Sequence, residues 1–151
     1  MVCPGRRQLI GGGFQRTDFV GPQQGAPTGG NFATQSQMIG SNVWQVSGTA
    51  IGTFGGELTG IAYCRRSKKP LLTPVSAQVT IPPRSFRTAT TPACFAGRSL
   101  VFTGFNTEPH GAIFYAGGPI NLDQSTSGSG YNRSTAPATL TVEGYCMNVK
   151  R

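Results

Sequence analysis

Two stretches of this chain repeat one another, and each begins at a cysteine. Residues 3–14 read CPGRRQLIGGGF, and residues 94–105 read CFAGRSLVFTGF. They align without a gap: Cys3 falls on Cys94, Arg7 on Arg98, Leu9 on Leu100, Ile10 on Val101, Gly13 on Gly104 and Phe14 on Phe105. A second pair closes on the other two cysteines, LTGIAYC at 58–64 and LTVEGYC at 140–146. Between them, VWQVSG at 43–48 and IFYAGG at 113–118 form a weaker match. Matched blocks in the same order mark an internal duplication. The chain therefore divides into a first copy, residues 1–69, and a second, residues 70–151, either separate or packed as one compact unit.

Each copy opens and closes with a cysteine. Four cysteines allow three connectivities, and the duplication selects one bridge per copy: Cys3 with Cys64, and Cys94 with Cys146. Period-two alternation places Leu58, Gly60, Ala62 and Cys64 on one strand face, and likewise Leu140, Val142, Gly144 and Cys146. The opposite face carries Thr59, Ile61 and Tyr63, or Thr141, Glu143 and Tyr145. Each cysteine thus sits on the small, apolar side, where a bridge packs. Closing a loop of about 60 residues stabilises by roughly 4 kcal/mol on the chain-entropy model. A metal site is the rival reading, but it needs closely spaced ligands, and there is no C-x-x-C and only one histidine, His110. Free thiols in a cytosolic protein are the other alternative.

A duplicated unit of this size must be built from sheet, because the composition is poor in helix formers. Gly (22) and Pro (11) are abundant and charged residues make up only 12%, about half the usual share. Glycine loses backbone entropy in a helix and proline removes a donor. Short runs of Val, Ile, Phe and Tyr between turn residues read as strands. The clearest is Val75, Ala77, Val79 and Ile81 alternating with Ser76, Gln78 and Thr80, stopped by Pro82 and Pro83. A further strand is expected within 86–93. Residues 9–14 read as a strand whose glycines mark close backbone approach rather than a phosphate cradle, since no helix follows. Trp44 is expected in the core rather than as a stacking platform. Residues 21–40 and 123–137, rich in Gly, Ser, Thr and Pro, read as two long polar surface loops, and residues 65–74 as a basic linker. The fold class is all-β: two related antiparallel sandwich-like copies, each stapled by one disulfide.

These residues look familiar. The pattern C-P-x-G, an apolar pair, G-G-G-F, W-x-V and L-T-x-x-A-Y-C resembles a cysteine-paired β-repeat found in predicted secreted proteins of actinobacteria and related bacteria. The resemblance covers nearly the whole chain, twice. It implies an extracytoplasmic β-module, with a strand before the first cysteine that matches residues 75–93 here. The second copy departs from it at Phe95, at Phe102 with Thr103, and at Phe114, which stands where the pattern has tryptophan; these changes look like repacking of a scaffold.

No enzyme active site is legible. The acids are Asp18, Glu57, Glu108, Asp123 and Glu143; a glycosidase needs two facing carboxylates, and only Glu108 and Asp123 lie in loops of one copy. His110 stands in EPHG, with no G-x-S-x-G elbow in the chain. Thirteen Lys and Arg against five acids give a net charge of +8, and Arg65, Arg66, Lys68 and Lys69 form a basic patch. That patch suits weak, nonspecific polyanion binding. Asn132-Arg133-Ser134 is a formal glycosylation sequon. No run reaches the ~18 apolar residues of a membrane span. Disulfides imply an extracellular or cell-surface protein whose leader has been removed. Two function classes suit this scaffold ahead of polyanion binding: a structural subunit of a fibre, coat or appendage, or a module whose polar loops recognise glycans or a cell surface. Neither cofactor nor metal is expected, and partners are further copies, other surface proteins or glycans.

One asymmetry stands out. The second copy is preceded by the strand at 75–81, whereas almost nothing precedes Cys3. A sheet lacking a strand exposes unpaired backbone and invites another. Upstream residues, or sharing of the Val75 strand, are expected ahead of donation by a neighbouring subunit.

Overall fold

The computed structural model describes residues 1–16, 30–51, 57–120 and 124–148. Among them are ten strands and no helix: β1 (Arg7–Arg16), β2 (Gly30–Met38), β3 (Trp44–Ile51), β4 (Leu58–Arg66), β5 (Leu72–Ile81), β6 (Phe86–Thr90), β7 (Arg98–Glu108), β8 (Ile113–Ile120), β9 (Thr126–Asn132) and β10 (Ala138–Asn148). Every ladder is antiparallel. The strands form a two-stranded sheet, β1-β4, a five-stranded sheet, β3-β2-β7-β10-β5, and a three-stranded sheet, β6-β9-β8.

The five-stranded sheet is the middle layer, because side chains leave β10 alternately into two cores. Leu140 and Val142 join Ile81, Ala89 and Ile113 on the side of the three-stranded sheet. Tyr145 joins Cys3, Leu9, Trp44 and Leu72 on the side of the two-stranded sheet. Both sets come from sequence alternation: in β5, Val75 and Ile81 are buried while Ser76, Gln78 and Thr80 are exposed. The middle sheet takes β3 and β2 from residues 1–69 and β7, β10 and β5 from residues 70–151. The two halves thus share the middle sheet and the core around Trp44 and Tyr145, while the other core is built from residues 70–151.

The disulfides join Cys3 to Cys64 and Cys94 to Cys146, with Cα atoms 5.7 Å apart in each. The duplication extends to the ladders. Leu9 opposes Cys64 as Leu100 opposes Cys146; Phe14 opposes Gly60 as Phe105 opposes Val142; Arg16 opposes Leu58 as Thr107 opposes Leu140. Each ladder also slips at the same place, so that Ile10 and Val101, aligned in sequence, are the unpaired residues of matching bulges. The hairpin β2-β3 corresponds to β8-β9. The N–H of Cys3 donates to the Asn42 carbonyl (2.8 Å), and that of Cys94 to the Gln124 carbonyl (3.1 Å).

Four expectations require correction. Residues 30–38 are strand β2 rather than loop; Thr34, Gln35 and Ser36 are buried there, with Ser36 Oγ accepting from Trp44 Nε1 and Gln35 Oε1 from Ser47 Oγ. Gln35 and Ser36 are tolerated there because each side chain finds a partner on β3, whereas the buried Thr34 hydroxyl has none among the described residues. The rest of that stretch, 21–29, lies outside the described residues. Residues 126–132 are strand β9 rather than loop. Its buried face is Thr126, Gly128, Gly130 and Asn132, small positions over which Tyr115, Ile113 and Leu140 close. The weak middle match fails as an equivalence: 43–48 falls on β3 and 113–118 on β8, whereas the topological partner of β3 is β9. Phe114 therefore does not replace Trp44, whose counterpart is Thr126. Finally, β5 pairs along its length with β10 of its own copy, so it is not shared. In the first copy, Val2 makes a single bridge to Val43, at the edge matching the one β6 covers in the second.

The strand expected within 86–93 is β6, residues 86–90. Trp44 is fully buried. The basic linker is shorter than expected, since β4 runs to Arg66 and β5 begins at Leu72.

Candidate functional site

Three features concentrate chemistry on this scaffold: a basic end, an aromatic cleft, and the junction between copies. The basic end is built by the β1-β4 ladder, which sets Arg7 opposite Arg66 and Gln8 opposite Arg65. Like charges facing across a ladder oppose pairing, yet both arginines are exposed here beside Arg6, Lys68 and Lys69. The Ser67 N–H donates to the Arg6 carbonyl at 3.3 Å, folding the segment after β4 back over β1. A hollow of about 380 Å³ between them is lined by Gly5, Arg6, Gln8, Ser67 and Lys68. None of these cations is matched by an acid among the described residues. Of the sequence-predicted patch, Arg65, Arg66, Lys68 and Lys69 are all exposed, with Arg7 across the ladder from Arg66; Arg65 and Arg66, adjacent in β4, point to opposite faces.

The cleft lies where the copies meet. Phe14 on β1 and Phe105 on β7, counterparts in the duplication, meet edge to face at 6.5 Å. Tyr115 on β8 stacks on Phe105 at 3.8 Å, and Phe32 on β2 leans on Phe114 at 4.9 Å. Phe14, Arg16, Phe32, Ala33, Phe105 and Tyr115 enclose about 380 Å³. The Arg16 guanidinium lies 5.9 Å from the centre of the Phe32 ring and that of Arg133 lies 5.3 Å from Phe114, within cation–π range. Burial pushes the Tyr115 hydroxyl above the ordinary phenol range. Sequence reading passed over this cluster, although the repeated Gly-Phe at Phe14 and Phe105 was its signal.

At the junction, Gln35 and Ser36 of β2 oppose Asn106 and Phe105 of β7. Thr107 Oγ1 donates to the Thr34 carbonyl at 2.9 Å. The Met38 N–H donates to Tyr145 Oη at 2.8 Å, and the Tyr145 hydroxyl in turn donates to Glu143. Burial, then the Glu143 charge, pushes this hydroxyl far above the ordinary phenol range, so it stays a donor.

The remaining sequence candidates are dispersed. His110 is exposed in the turn between β7 and β8. Glu108 accepts from Asn106 Nδ2 at 3.1 Å; its suggested partner Asp123, like Asp18, lies outside the described residues. Among the described residues no group of three His, Cys, Asp or Glu converges as a metal site, and no helix is long and apolar enough to cross a membrane. The sequon asparagine is occupied by structure: Asn132 is buried, with Nδ2 donating to the Ile81 and Ala136 carbonyls at 2.9 and 2.8 Å and Oδ1 accepting from Ser134. Two disulfides in so small a chain point to an oxidising compartment outside the cytoplasm. No protein-family model, curated protein or solved structure matches the chain.

Proposed function

We propose that this chain is a non-enzymatic structural subunit of an extracellular or cell-surface assembly, such as a fibre, coat or appendage. The observation carrying this reading is the junction: the first copy joins the second by continuing its sheet edge to edge, through β2 and β7. Modules that unite in this way are building units, and the disulfides make each one durable. The resemblance to a cysteine-paired repeat of secreted bacterial proteins supports the same setting. Light scattering over a concentration series tests it: the mass should grow with concentration, and a constant monomer mass would reject it.

A second reading has the basic end in its favour. Arg6, Arg7, Arg65, Arg66, Lys68 and Lys69 present charge that no described acid matches, which suits an anionic polymer or surface. Binding to heparin or DNA is then weak, indifferent to sequence, and lost steeply as salt rises. Glycan recognition would use the cleft between Phe14, Phe32 and Tyr115, and retention on a glycan resin by an unassembled monomer would favour it.

A further inference from the structure

The edges that join the two copies each have a counterpart elsewhere in the molecule. On the β7 side, Gly104 admits β2: a Cβ there would stand 2.7 Å from the Ser36 carbonyl oxygen. The matched ladders make β1 the counterpart of β7, with Gly13, Phe14 and Gln15 standing where Gly104, Phe105 and Asn106 stand. Among the described residues, β1 has no partner strand on its side away from β4. No described residue lies within 4 Å of the place a Gly13 Cβ would take. Glycine weakens a strand interior. In the second copy the approach of β2 accounts for it; in the first, nothing among the described residues does.

The counterpart of β2 is β8. Ser36 opposes Val46 and Gln35 opposes Ser47; Gly117 opposes Gly128 and Ala116 opposes Ser129. Val46 and Ser47 follow Asn42 at the same spacing as Gly128 and Ser129 follow Gln124, so Gly117 and Ala116 hold the places of Ser36 and Gln35. Both are exposed, and among the described residues β8 has no partner strand on its side away from β9. Neither edge has a charge or proline at these positions, the usual guards against pairing.

We propose that β8 of one molecule pairs with β1 of a second copy in the register of the internal junction, Gly117 opposite Phe14 and Ala116 opposite Gln15. The contact is head to tail, and each molecule keeps one free edge of each kind, so the assembly is open-ended. Pro119, further along β8, cannot donate to a ladder and confines the pairing to a short run, as short as the junction it copies. This inference rests on the assembly reading and adds the surface and register.

Two substitutions and their mixture test it. Gly13→Val fills open space, so it should leave Trp44 fluorescence and the denaturation midpoint unchanged while weakening self-association at least tenfold. Ala116→Lys should do the same from the other edge. Each variant retains the edge the other has lost, so an equimolar mixture should give dimers and nothing larger in sedimentation velocity. Gln15→Cys and Ala116→Cys, placed on separate molecules, should cross-link on oxidation, since directly opposed positions bring Cβ atoms within disulfide reach. Growth of the natural chain that ignores both substitutions, or a mixture that grows beyond dimers, overturns the edge assignment and leaves the assembly reading standing. A natural chain that stays monomeric at every concentration overturns both.

Discussion

Tyr63 and Tyr145 occupy the same place in the two copies, one residue before the closing cysteine, and they meet opposite fates. Tyr63 is 48% exposed, stacked at 5.7 Å on Phe102. Tyr145 is wholly buried, edge-on to Trp44 at 5.2 Å, with its hydroxyl between Met38 and Glu143. The difference is one of layer. β4 lies in the outer two-stranded sheet, whereas β10 lies inside the middle sheet with a core on each face. The paired position Gly11 and Phe102 shows the consequence. A Cβ on Gly11 would collide with the ring of Phe102, its own counterpart. The copies fit against each other here because one carries glycine where the other carries phenylalanine.

The staples give the largest expected effects, and here the copies should agree. The bridges span 61 and 52 residues, and loop-closure stabilisation varies only with the logarithm of loop length. Replacing Cys3 with Cys64, or Cys94 with Cys146, by alanine pairs should each cost about 4 kcal/mol in denaturant unfolding. A difference well above ~1 kcal/mol between the pairs would show that packing around one bridge, rather than the loop it closes, sets its worth.

Next come the positions where the copies differ by packing. Gly12→Ala would press a methyl group into the Trp44 ring, an overpacking worth about 1–3 kcal/mol; its counterpart Thr103 already carries a side chain. Equal stability of Gly12→Ala and the natural chain would mean that Trp44 can move aside. Tyr145→Phe should then cost about 1–2 kcal/mol, because it strips a buried acceptor from the Met38 N–H. Tyr63→Phe should stay within ~0.5 kcal/mol. Comparable losses at both tyrosines would contradict the layer argument.

What the sequence made legible was whatever repeats and whatever alternates. The cysteine pairing followed from matched blocks, and β5 from Val75, Ala77, Val79 and Ile81. What it hid were strands whose buried faces are not apolar. β9 buries Gly128 and Gly130 because neighbouring side chains fill the space above them, and β2 buries the polar Thr34, Gln35 and Ser36, the last two hydrogen-bonded to the adjacent strand. Hydrophobic periodicity cannot report either case. That Arg7 stands opposite Arg66 was not legible, since the two meet only across a ladder. The aromatic cleft and the junction were not legible, because both depend on how the copies face each other.

The smallest expected effect concerns Glu143, whose counterpart in the first copy is Ile61. Burial raises the Glu143 carboxyl above the ordinary glutamate range, and the hydrogen bond from Tyr145 only partly opposes this. Folding therefore favours the protonated form relative to the unfolded chain. The stability this group contributes is fully present below the ordinary glutamate pKa, and it is lost as pH rises through the raised folded value. Glu143→Gln keeps an acceptor for the Tyr145 hydroxyl but cannot ionise. Its denaturation midpoint should match that of the natural chain near pH 4 and exceed it modestly, by less than about 1 kcal/mol in free energy, near pH 7. A variant weaker at both pH values would mean that the carboxylate is held by contacts stronger than its burial is costly. The first copy, with Ile61 in this place, would then be the one that lost an interaction rather than the one spared a charge.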